Sequence, residues 1–96
     1  MVIGALRLEL HFPACGSLKE KRQILKSIMG RIRSRYNISV AEVDHNDLWQ
    51  RAAIGISAVS QTEYQTRKIL TKIVQEVENR GKAVVVSSQI SVFAPE

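Results

Sequence analysis

The sequence predicts an α+β fold in which a four-stranded antiparallel sheet carries two helices on one face. Three observations lead there. Four segments alternate apolar and polar residues with a period of two, two segments repeat apolar residues at helical spacing, and a Ser-x-x-Glu tetrapeptide precedes each helical segment. Their order along the chain is β-α-β-β-α-β, the ferredoxin-like split βαβ arrangement. Right-handed crossovers then bring both helices to one side of the sheet and leave the other side open.

The first strand is expected over residues 2–12, with Leu6, Leu8, Leu10 and Phe12 facing the core and Arg7, Glu9 and His11 facing away. Pro13 and Gly16 end it, because proline donates no ladder hydrogen bond and glycine favours turns. Ser17-Leu18-Lys19-Glu20 has the form of a capping box, so a helix should begin at Leu18. Its core stripe is Leu18, Leu25, Ile28, Met29, Ile32 and Tyr36, and Asn37 is its stop. Residues 38–43 read as a second strand and Asp44-His45-Asn46-Asp47 as a hairpin loop. A third strand follows from Trp49, with Ala52, Ile54, Ile56 and Ala58 inward. Ser60-Gln61-Thr62-Glu63 is the second box, and Leu70, Ile73, Val74 and Val77 give the next helix its i, i+3, i+4, i+7 pattern. Gly81 supplies a left-handed stop. The last strand covers residues 83–93, with Val84, Val86, Ile90 and Val92 expected inward.

A length of 96 residues fits one domain, 1–96, with a small core. The 45% hydrophobic and 24% charged fractions are those of a globular chain and exclude disorder over most of it. No apolar run reaches the ~20 residues of a membrane span, and the N-terminus lacks the form of a signal peptide, so a cytoplasmic protein is expected. The single cysteine, Cys15, makes no internal disulfide, and one thiol with two histidines on different elements falls short of a metal site. No cofactor is expected.

RNA-recognition motifs share this topology but stack bases on aromatic residues of the two central strands. Here those strands offer small and polar side chains to the open face, which argues against base reading. Ala53, Gly55 and Ser57 instead permit another sheet to approach closely, with Arg7 and Arg51 beside them. Trp49 is of a type enriched in binding hot spots. Arg7, Trp49, Arg51, Ala53 and Gly55 are therefore the candidate interface of a homo-oligomer, a dimer being favoured. The competing reading is a solvated polar face.

Charge is distributed unevenly. Residues 19–35 hold seven Lys/Arg and one Glu, a local +6 in a chain whose net charge is +5, so the remainder sums to −1. On a wheel of about 100° per residue, Lys19, Arg22, Lys26 and Arg33 share one flank of the first helix and span about 20 Å, a length suited to successive phosphates. Arg31 and Arg35 fall on the opposite flank, and Lys21 lies nearer the core stripe. Lys19, Lys21 and Arg22 also crowd a helix N-terminus, where the dipole favours acids. The four-residue flank is the candidate nucleic-acid site; solvation for solubility is the alternative.

Catalytic candidates are weaker. Cys15 precedes a helix in a basic setting but has no nearby base, and Asp44 and Asp47 suit turn formation alone. Acylphosphatases use this topology with an arginine in the loop after the first strand; here that loop is Phe12-Pro13-Ala14-Cys15-Gly16. An enzyme is not expected.

Three segments carry a more specific likeness: Ser17-Leu18-Lys19-Glu20-Lys21-Arg22, Asn37-Ile38-Ser39-Val40-Ala41-Glu42-Val43, and Asp47-Leu48-Trp49-Gln50-Arg51 leading to Ala58-Val59-Ser60. Together they resemble the YlxP-like family of small bacterial proteins, a domain of unknown function. The resemblance implies a ferredoxin-like fold, and the frequent position of family genes beside transcription, translation-initiation and ribosome-maturation factors implies RNA or ribosomes as partner. It supplies no catalytic residues. Two functions remain in view: an RNA- or ribosome-associated protein acting through the basic helix, and an oligomerisation module pairing through its open sheet.

Overall fold

In the computed structural model, which describes residues 1–95, the six elements follow in the expected order: β1 (Val2–His11), α1 (Leu18–Arg35), β2 (Ser39–Asp44), β3 (Arg51–Ser60), α2 (Glu63–Asn79) and β4 (Val84–Phe93). The strands pair antiparallel in the order β2-β3-β1-β4, so the fold is the ferredoxin-like α+β sandwich. Register explains the core. Leu6 lies opposite Ile56, Leu8 opposite Ile54 and Leu10 opposite Ala52, which gathers the apolar half of each strand on one face. Leu25, Ile28 and Ile32 of α1 and Leu70, Ile73 and Val77 of α2 close over it in one buried cluster.

α2 sits very close to the sheet at Gly4. A Cβ there would lie 2.9 Å from Leu70 Cδ1 and would collide with Thr66 Cγ2. Only glycine permits that approach, a constraint that alternation alone does not reveal.

Both helix starts have caps, but only one falls where the sequence put it. Ser17 Oγ accepts from Glu20 N at 3.1 Å, and Glu20 Oε2 accepts in return from Gly16 N at 3.3 Å. At α2 the cap is Thr62, whose Oγ1 accepts from Gln65 N at 3.1 Å, in place of the expected Ser60. Ser60 still belongs to β3, opposite Val2, and its hydroxyl pairs with the buried Thr66 Oγ1 at 2.5 Å. Two overlapping boxes were present, and strand pairing claimed the first.

β4 departs from simple alternation. Leu10 lies opposite Val85 while Glu9 lies opposite Ser87, so Val86 is an extra residue at a β-bulge. The bulge reverses the side-chain sense before it. Val85 packs against the core, whereas Val84 and Val86, expected inward, are exposed.

Candidate nucleic-acid interface

Within the first turns of α1, the cap and the wheel send neighbouring cations to different places. Lys21 falls on the core stripe and is wholly buried. Its Nζ donates to Glu42 Oε2 at 3.1 Å and to the carbonyls of His45 at 2.9 Å and Arg51 at 3.2 Å, with Asn46 O at 3.5 Å. A buried charge needs such a set of acceptors, because stripping its water is otherwise costly. Lys21 therefore fastens α1 to the β2–β3 loop and is closed to any ligand. His45, in the left-handed region at φ 62°, presents the carbonyl that Lys21 reaches.

Lys19, Arg22, Lys26 and Arg33 all project into solvent. Among the described residues none of the four has a carboxylate at ion-pair distance; Arg33 alone makes a long contact, from Nη2 to Val40 O of β2 at 3.4 Å. The opposite flank is different. Arg35 Nη1 and Arg31 Nε lie 2.5 and 3.7 Å from the same oxygen of Glu76 on α2. That carboxylate, mostly buried, stands in a cleft between the helices beside Tyr36. Burial and the Glu76 charge push the Tyr36 hydroxyl above its ordinary pKa.

The open sheet face also carries charge, but there it is internally balanced. Glu9 accepts from Arg7 at 2.9 Å, from Arg51 at 3.3 Å and pairs with His45 Nε2 at 3.1 Å. Desolvation raises the Glu9 carboxyl, but the hydrogen bonds from Arg7 and Arg51 and the neighbouring positive charge outweigh it and hold its pKa below the ordinary value. Asp44 is lowered chiefly by the hydrogen bond from its neighbour's backbone, His45 N, at 2.8 Å, and it also meets Arg7 at 3.5 Å.

The network rearranges the expected interface. Arg7 and Arg51, with side chains 41% and 42% exposed, converge on Glu9. Ala53, expected on an accessible surface, is fully buried, and a Cβ at Gly55 would lie 2.9 Å from Val43 Cγ1, so Val43 already covers that glycine. Val43 itself is the residue left unpaired at the register shift between Glu42 and Asp44. Trp49 remains half-exposed in the β2–β3 loop. Over Ala53 and Gly55 the space is taken by the chain's own side chains, while beyond them Ala5, Ala41, Ser57 and Ser91 line an open groove on the same face. Sequence reasoning missed His45 and Lys21 as structural centres; the one available signal was a lysine in an otherwise apolar stripe.

Cys15 is buried, and its thiol donates to Ser17 O at 3.2 Å. Among the described residues no helix is long and apolar enough to cross a membrane.

Comparison with known proteins adds a family. The family model described as a protein of unknown function, DUF503, matches residues 3–90. The uncharacterized protein YlxP of Bacillus subtilis is 38% identical over 78 residues, 81% of this chain and 85% of the relative. Among solved structures, a mutant form of SnoaB, a cofactor-independent oxygenase from Streptomyces nogalater, is 11% identical at a TM-score of 0.49, over 99% of this chain and 92% of that one. A C-terminal segment of the alpha subunit of aIF2 from Pyrococcus abyssi is 17% identical at the same TM-score, over all of this chain and 51% of that one.

Proposed function

The chain belongs to the DUF503 family, the family its sequence resembles as YlxP-like, and we propose that this member is a non-enzymatic RNA- or ribosome-associated protein that binds phosphate backbone through one flank of α1. The observation that supports the reading most directly is the contrast in pairing. Arg7, Lys21, Arg31, Arg35 and Arg51 each have a carboxylate of this chain, whereas among the described residues Lys19, Arg22, Lys26 and Arg33 do not and share one flank of a single helix; Lys68, Lys72, Arg80 and Lys82, also without a carboxylate, lie on α2 and in the loop after it. Unpaired cations along about 20 Å of helix are free to release counterions from a phosphate backbone, and such binding reads charge rather than base identity. The reading implies a cytoplasmic role, since RNA is the partner.

Fluorescence anisotropy on a labelled single-stranded RNA across a salt series tests it. The affinity should fall steeply with salt, and each of Lys19→Ala, Arg22→Ala, Lys26→Ala and Arg33→Ala should flatten the log–log slope by about 0.7. Base composition should not matter. The pair Arg31→Ala and Arg35→Ala should flatten it less. Equal losses from both flanks would point to diffuse attraction by net charge, and no binding at low salt would defeat the RNA reading.

A further inference from the structure

The two edges of the sheet are built differently. β2 is short, six residues, and carries Glu42 and Asp44 next to a register shift. Charge and irregularity of that kind are how proteins keep an edge from pairing with another chain. β4, at the other edge, is ten residues long and has no charged residue: Val84-Val85-Val86-Ser87-Ser88-Gln89-Ile90-Ser91-Val92-Phe93. Among the described residues its one irregularity is the bulge at Val86, which leaves the seven residues from Ser87 to Phe93 regular.

We propose that β4 is the docking edge for a second copy of this chain, joined antiparallel about a two-fold axis at Ile90 into an eight-stranded sheet. Three features of the strand suit that partner. First, the register is self-consistent. Centring the pair on Ile90 sets Gln89 opposite Ser91, Ser88 opposite Val92 and Ser87 opposite Phe93, so each pair shares a face of the sheet, as antiparallel pairing requires. Second, both faces of the edge present incompletely covered apolar groups. Ile90 and Val92 on the helix side are only half-buried, and Phe93 on the other side is 55% exposed. The two-fold would bring Ile90 against its own copy and complete that margin of the core. Third, the charges allow it. Two chains of net +5 repel, but the unpaired flank of α1 lies toward β2, where Arg33 reaches Val40, and β2 is the edge farthest from β4. The uncharged seam is where like chains meet at least electrostatic cost.

This pairing is independent of RNA binding, and its test uses the protein alone. Light scattering after gel filtration should give the mass of two chains for the wild type at high micromolar concentration. Ser88→Lys or Ser91→Lys, each at an exposed position of the edge, should return it to the mass of one chain while circular dichroism and the melting transition show a folded protein. Ile90→Cys should form a disulfide-linked dimer under mild oxidation, because the axis places that residue opposite itself, while Cys15 is buried. A wild-type mass of one chain at every concentration overturns the proposal. So does a dimer that survives both folded lysine variants and gives no Ile90→Cys cross-link; that result would assign self-association to another surface.

Discussion

Lys19 and Lys21 stand two positions apart on the same helix, yet one belongs to the solvent and the other to the core. Lys21 is enclosed by one carboxylate and the carbonyls of the β2–β3 loop; Lys19 and the three cations that share its flank have no acid of their own among the described residues. The open sheet face repeats the first pattern, since Arg7, Arg51 and His45 all converge on Glu9. Net charge therefore locates nothing in this molecule. The useful distinction is between cations the chain satisfies internally, which hold the fold, and cations it leaves unmatched, which are available to something else.

The largest effect should come from the internal set. Lys21→Met removes the donor but leaves the Glu42 carboxylate and three carbonyls in place, so the melting transition should fall by the equivalent of about 3–5 kcal/mol. A loss below about 1 kcal/mol, measured by urea unfolding, would break the comparison by showing that Lys21 is no better anchored than its exposed neighbours.

Glu9→Gln comes next. It removes the negative charge that two guanidiniums and the imidazole share and turns one acceptor oxygen into a donor, and should cost about 1.5–3 kcal/mol near neutral pH. The pH dependence sharpens the assignment. The folded Glu9 carboxyl titrates below its ordinary value, so its stabilisation is present above the ordinary glutamate range and disappears as pH falls through the folded pKa. Wild-type stability should consequently decline on acidification through that window, and the Glu9→Gln variant should show a shallower decline over the same range.

The smallest stability effect should belong to the α1 flank. Lys19→Ala, Arg22→Ala and Lys26→Ala remove exposed groups with no carboxylate partner, and each should shift unfolding free energy by no more than about 0.5 kcal/mol. A much larger loss in any of them would move that residue into the structural set and out of the binding site.

The architecture was legible from the sequence because periodicity reports which face of an element meets the core, and six elements in this order leave few topologies. The errors have local causes. A period of two carries no notice of an inserted residue, so the bulge at Val86 leaves Val84 and Val86, both expected inward, exposed and turns Val85 to the core. Overlapping caps at Ser60 and Thr62 are separated only by how far strand β3 continues, which is a pairing property. The charged flank of α1 was visible on the wheel, but whether an arginine there meets an acid depends on another helix, as Glu76 shows for Arg31 and Arg35. Likewise, the small residues at positions 53 and 55 suggested an open surface, and only the tertiary structure reveals that Val43 and the Glu9 network occupy it.

The enclosure of Lys21 also carries an order of events. Its acceptors lie 21, 24, 25 and 30 residues farther along the chain. During synthesis α1 emerges before any of them exists, and a helix that turns a lysine toward the core has no reason to settle there until the hairpin arrives. The contact is thus expected to form only after β2 and β3 have paired, and a φ-value near zero for Lys21→Met would place it on the native side of the folding barrier. Loosening it should shorten the lifetime of the folded state far more than it delays folding.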